Sequence, residues 1–288
     1  MGRFIIGIYN YCDYWCERCA FTRRCRNYNG GSAARRLKAA ARDEDRDAVN
    51  ASFWNDLAER LRDATIFGSM ADDAGCEADD ADVWGDSVWA DEGGGAETDS
   101  RIDAAMDARD RAVKAHPLTH LSRDYMMRAG QWLKDADADL KGLAAEWLAQ
   151  AGSRYDDTDY EEAAHEVGDL VEVVNWYHTL IPPKLARALG NLAEPVLGDG
   201  EYARIIRESR LSDANGSGKV ALIAVERSIA AWLRLRELLP RQEDAILALL
   251  VLLGRLQRGI RTAIPGAEAF KRPGFDPGST CFADDESN

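Results

Sequence analysis

The 288-residue sequence predicts an all-α protein, an antiparallel multi-helix bundle with an N-terminal Cys-rich metal-binding loop. Three observations carry that expectation. Apolar residues recur at helical spacing through most of the second half, no segment sustains the two-residue alternation of a strand, and four of the six cysteines fall within fourteen residues near the start. Hydrophobic residues make up 46% and charged residues 30%, the balance of a globular chain long enough to bury a core.

Taken in order, residues 4–9 read as a short strand or an extended lead into the cysteine loop. Beyond Gly30 and Gly31 an Ala/Arg-rich stretch, 33–42, favours helix, and another helix is expected over 48–64. A further segment, about 101–114, has helical propensity. Pro117 suits a first helical turn, where its missing N–H is no loss. It opens a helix through Leu118, Leu121, Tyr125, Met126, Trp132, Leu133, Leu140 and Trp147 to a stop at Gly152. Asp159 offers the next N-cap, ahead of an apolar stripe of Val167, Leu170, Val171, Val174, Tyr177 and Ile181. Pro182 and Pro183 should kink or end that helix, leaving a short piece, 185–189, before Gly190 as terminator. Asn215-Gly216-Ser217-Gly218 reads as a loop before a helix over 219–238, and a last helix covers 242–263. Five to seven helices result, with no internal repeat. The chain therefore divides into a Cys-rich loop (1–30), a helical segment packed on the bundle (31–71), an acidic linker or insertion (72–100), the helical bundle (101–270) and a flexible tail (271–288).

Formal net charge is −14, but it is unevenly placed. Residues 72–99 carry eleven acids and no Lys or Arg, so removing their charge from −14 leaves −3. With Gly93, Gly94 and Gly95 and few aliphatics, that stretch has too little to bury and reads as disordered. Trp84 and Trp89 within it would either cover a local patch or form a docking motif for a protein partner. Upstream, residues 18–42 hold eight basic residues and no acid. Arg18, Arg23, Arg24 and Arg26 are thus candidate anion contacts, against the linker or against phosphate, although the acidic whole does not favour nucleic acid as a partner. The longest apolar run, 245–253, is too short to cross a bilayer, and no cleavable leader is evident, so a cytoplasmic protein without a membrane partner is expected.

The cysteines Cys12, Cys16, Cys19 and Cys25 have the spacing C-x3-C-x2-C-x5-C. Four thiolates so close can surround one metal centre, and the interleaved basic residues are expected to lower the thiol pKa values and offset thiolate charge. Structural zinc usually uses two Cys pairs separated by a longer insert, whereas iron–sulfur clusters, including [4Fe–4S], take compact runs; free thiols in a surface loop are the third reading. Tyr9, Tyr11, Tyr14, Trp15, Phe21 and Tyr28 would shield a centre or seat the loop. Cys76 and Cys281 stand apart and are not read as ligands.

The first three cysteines share the spacing of radical S-adenosylmethionine enzymes, but Arg18 stands where those enzymes place an aromatic, and a barrel of strands is missing. The last three match the end of the cluster loop of endonuclease III-like DNA glycosylases, without that family's helix-hairpin-helix. Over most of its length the chain resembles a family of uncharacterised bacterial all-helical proteins. The resemblance rests on an N-terminal Y-C-D-x-W-C-E-R-C element, here Tyr11 to Cys19, on Glu172 to His178 running into Lys184-Leu-Ala-Arg187, and on Gly218 to Arg227. It implies a coherent fold and brings no activity.

Several polar residues sit within the predicted helices. Glu162, His165, Asp169 and Glu172 share one face and include an E-x-x-H pair, but no second pair exists to complete a di-iron site, and a solvated face is the expected reading. His178 falls on the apolar side as a hydrogen-bonded core histidine, a ligand or a base. Glu226 interrupts an apolar run and needs a partner, for which His178, Arg187 or Lys219 are candidates. The 215–219 loop lacks the glycine and hydroxyl of a phosphate-binding loop and reads as a plain helix start. Three functions follow: a four-Cys metalloprotein, with iron–sulfur or zinc, in a redox, electron-transfer or structural docking role; a bundle enzyme using Glu226, His178 and Glu172; or a nucleic-acid-associated protein using the loop arginines.

Overall fold

Helical periodicity becomes seven α-helices among the described residues of the computed structural model, which are 4–30, 46–64, 95–151, 158–196 and 198–279. They are α1 (Arg26–Gly30), α2 (Arg46–Ala64), α3 (Gly95–Ala115), α4 (Pro117–Ala151), α5 (Thr158–Ala193), α6 (Glu201–Leu238) and α7 (Glu243–Ala263). The expected helix over 33–42, the linker as far as residue 94 with Cys76, Trp84 and Trp89, and Cys281 lie outside these residues. From Gly95 the chain is already helical, so the end of the expected linker belongs to α3.

α5 and α6 form the central pair; α4 packs on α5, α7 on α6, and α4 meets α7 to close a ring of four. A 36-residue helix is about 54 Å long at 1.5 Å per residue, and the few residues between α5 and α6 cannot retrace that length, so these neighbours run antiparallel. α2 leans on α6 and α3 on α5. The core is the apolar stripe of each helix turned inward: Tyr125, Val173, Val174, Tyr177, Ile181, Leu185, Trp232, Leu235, Leu253, Leu256 and Ile260 are all fully buried. Trp232 donates its indole N–H to the Tyr125 hydroxyl at 3.1 Å, so that buried polar pair is satisfied. No described helix is long and apolar enough to cross a membrane.

Two helix ends expected from local rules do not occur. α5 runs through Pro182 and Pro183 and past Gly190 to Ala193. Each internal proline costs on the order of 3 kcal/mol, and the burial of Ile181, Leu185, Ala188 and Leu189 on the same helix offsets it. Likewise 215–218 is no loop: it lies inside α6, with Gly216, Ser217 and Gly218 buried. The small residues are there for close approach. A Cβ on Gly216 would sit 2.2 Å from the Tyr11 ring, and one on Gly218 would press on Ile264 and Ala267 at 3.0–3.1 Å. Helix propensity alone predicts that Gly216→Ala stabilises the chain by ~1 kcal/mol. The packing predicts the opposite, a net loss of about 1–3 kcal/mol in denaturant unfolding, largely relieved when Tyr11→Ala is combined with it.

Residues 4–9 form no strand. Gly7, at φ 74°, turns the chain into a 3-10 turn, Ile8–Tyr11. The stretch 271–279, expected within a flexible tail, is folded back onto the loop: Phe275 packs with Phe21 at 4.9 Å, and with Ile5, Ile8 and Cys25 they make a small second core.

Candidate metal centre

The cysteine loop is a chain of short turns, with 3-10 segments at Cys16–Arg18 and Thr22–Arg24, pinned to the bundle at almost every step. Tyr14 adopts φ 59°, the left-handed region that a bulky side chain seldom enters. That bend drives Trp15 inward, where it stacks on Trp176 (5.2 Å, 13°) and meets Trp54 and Tyr177 edge-on. The Lys184 ammonium lies 4.6 Å from the Tyr14 ring centre and donates to the Cys12 carbonyl at 3.1 Å.

Asp13 is the main fastening. One carboxylate oxygen accepts from the Tyr177 hydroxyl at 2.7 Å and from the Arg227 guanidinium at 2.8 Å; the other accepts the Trp15 backbone N–H at 3.3 Å. The Asp13 carbonyl accepts the Trp176 indole N–H at 3.0 Å. Arg227 also lies flat against Trp54, 3.7 Å from its ring centre. Burial, then the charge of Asp13, holds the Tyr177 hydroxyl well above its ordinary pKa, so it stays a donor. From α2, Asn50 donates to the Glu17 and Cys19 carbonyls (3.1 and 3.2 Å), Trp54 to the Arg18 carbonyl (2.7 Å) and Arg46 to the Glu17 carbonyl (2.9 Å). The three segments that carry the sequence resemblance thus meet at this loop, through Asp13, through Trp176, Tyr177 and Lys184, and through Arg227.

All four cysteines, half-buried and in no disulfide, line one cavity of about 30 Å³ whose walls include Ile8, Trp15 and Phe275. Backbone N–H groups point at three of the sulfurs: that of Tyr14 at Cys12, that of Phe21 at Cys19 (3.4 Å) and that of Tyr28 at Cys25 (3.5 Å). Such donors stabilise thiolates and tune metal–sulfur bonds. As a donor set, four thiols on one apolar cavity suit a thiolate-bound group. Among the described residues, however, no three His, Cys, Asp or Glu side chains are already gathered to hold a metal ion. Tetrahedral zinc at about 2.3 Å from each sulfur needs them about 3.8 Å apart, so a single ion would have to draw the loop in.

Cys12, Cys16 and Cys19 are not acidified as the sequence suggested. Burial pushes Cys19 up to about 12 and Cys12 to about 11, and raises Cys16 as well, with neighbouring acids and thiols adding to it. Arg18 does not offset this, because it turns away to Asp169 and, at 2.8 Å, Glu172 on α5. Taking up metal therefore releases protons. The acidic face of α5, expected to be solvated, is in part the socket for the loop. Of the other arginines read as anion contacts, Arg23 has its backbone N–H on Asp47 at 3.2 Å, the Arg24 carbonyl accepts from Ile5 at 3.0 Å, and Arg26 is exposed at the start of α1.

The residues proposed for a bundle enzyme have separate surroundings. Glu172 binds Arg18 beside the loop. His178 is buried against Gly130, its Nδ1–H donating to the Val174 carbonyl at 3.2 Å, and burial lowers its pKa. Glu226 is met by Gln257 at 3.3 Å and Arg261 at 3.5 Å from α7; of the partners expected, only Lys219 acts on it, through its charge, while its hydrogen bond goes to the Glu268 carbonyl and Arg187 binds Asp213. Burial raises the Glu226 pKa. Sequence reasoning missed the anchors Asn50, Trp54, Trp176, Tyr177, Lys184 and Arg227. Polar or aromatic residues placed on the inward stripes of α2, α5 and α6 were the available signal. Comparison with known proteins finds no matching family model, curated protein or solved structure, so the centre is read from its own chemistry.

Proposed function

We propose that the protein is a four-Cys metalloprotein whose loop binds an iron–sulfur cluster through Cys12, Cys16, Cys19 and Cys25, in a redox or electron-transfer role or as the support of a docking surface. The observation that carries this reading is the convergence of all four thiols on one apolar cavity, with backbone N–H groups aimed at three of the sulfurs. A cluster would take one thiolate on each of its irons, so Cys12, Cys16, Cys19 and Cys25 could hold it from a looser ring than a single zinc ion requires. The exposed Phe4, Ile6, Tyr9 and Tyr14 around the loop supply apolar surface of the kind a redox partner docks on. The cytoplasm, a reducing compartment, keeps such thiols available for metal.

Visible charge-transfer absorption in anaerobically purified protein, lost in each of C12S, C16S, C19S and C25S and kept in C76S and C281S, is the expected pattern. A colourless protein, or absorption indifferent to those four serines, overturns the assignment.

A further inference from the structure

A second site lies on the bundle itself. α3, α4, α5 and α6 enclose a charged cleft of about 530 Å³, within the range of small-molecule pockets. Its three acids are already committed. Asp213 accepts both nitrogens of the Arg187 fork, at 2.5 and 2.8 Å, and the Asn191 amide at 2.6 Å. Asp110 holds Arg109 at 2.8 Å, and Glu194 is shared between Arg109 at 3.3 Å and Arg210 at 2.7 Å. Lys114 and Arg123, exposed on the same cleft, have no ion-pair partner among the described residues. The lining therefore presents cationic donors in excess on a chain whose net charge is −14. The ion pairs on its floor hold two guanidiniums in fixed positions, and Arg187 keeps N–H donors that Asp213 does not use.

We infer that this cleft binds a compact small molecule carrying at least two negative charges, phosphate or carboxylate, with Lys114 and Arg123 as its flexible clamp and Arg187 as its fixed donor. The site is independent of the cysteine centre in its chemistry. The two are physically adjacent, because Tyr11, next to Cys12, lies close enough to Asp213 and Arg187 for their charges to act on its hydroxyl.

The test is calorimetric titration of the full-length protein at low ionic strength with inorganic pyrophosphate and, separately, citrate. At least one should bind saturably with one site per chain, more weakly as salt is added. The double substitution K114Q/R123Q should weaken it about tenfold or more, from the loss of two charge-assisted contacts. R128Q, which removes an exposed arginine of α4 paired with Asp124 outside the cleft, should leave binding unchanged. Because the substituted side chains are exposed, the fold is preserved, and circular dichroism verifies it. Failure of both anions to bind saturably, binding unchanged in K114Q/R123Q, or an equal loss in R128Q overturns the inference. None of these readouts depends on metal at the cysteines.

Discussion

Asp13→Ala is expected to destabilise the protein by about 3 kcal/mol or more and to free the cysteine loop from the bundle. The carboxylate is 21% exposed and Arg227 23%, so the pair is largely withdrawn from water. Removing Asp13 leaves a guanidinium, the Tyr177 hydroxyl and the Trp15 backbone N–H without their acceptor at once. Most of that loss is the cost of an uncompensated charge rather than the worth of the contact. The double substitution D13A/R227M should therefore recover much of it, as apolar replacement of both partners commonly does. Equilibrium denaturation measures the stability, and tryptic cleavage at Arg23 or Arg24 reports the released loop. A loss below about 0.5 kcal/mol, the scale of an exposed ion pair, would mean that Asp13 is not the fastening described.

Trp15→Ala should cost about 3–5 kcal/mol, the range for truncating a buried large aromatic. Trp15 is 7% exposed and touches three aromatic rings, from α2 and α5, so its loss opens a cavity between loop and bundle rather than within either. The consequence is local as well as global. Amide exchange should rise over residues 4–30 while the α5–α6 core keeps its protection, and Trp15→Phe should retain part of the stability. Unchanged exchange in the loop would contradict the role given to this side chain.

Residue by residue, the sequence was most legible where one local rule decides. Pro117 opens α4 as expected because a missing N–H acts within a single turn, while the stop expected at Gly152 lies outside the described residues. It misled where a distant contact outweighs the local rule. Pro182 and Pro183 sit in an unbroken helix because the stripe around them is buried, and Gly216 is helical because Tyr11, 205 positions earlier, needs the space. The same limit applies to the candidate centre. Spacing identified the four cysteines that line one cavity, since that pattern is contained in fourteen residues. How the loop is held was hidden: the counterparts of Asp169 and Glu172 lie on Arg18, more than 150 residues away, so those acids read as a solvated face. That long-range pairing also explains the thiol pKa values. Arg18 is near the cysteines in sequence but spends its charge on α5, and burial then decides the direction.

The most direct measurement is the metal and acid-labile sulfide content of the full-length protein purified without oxygen. Iron with sulfide in comparable amounts, lost together in C12S, C16S, C19S and C25S, is the predicted result. One zinc per chain with no sulfide, or no metal at all, would contradict the central claim.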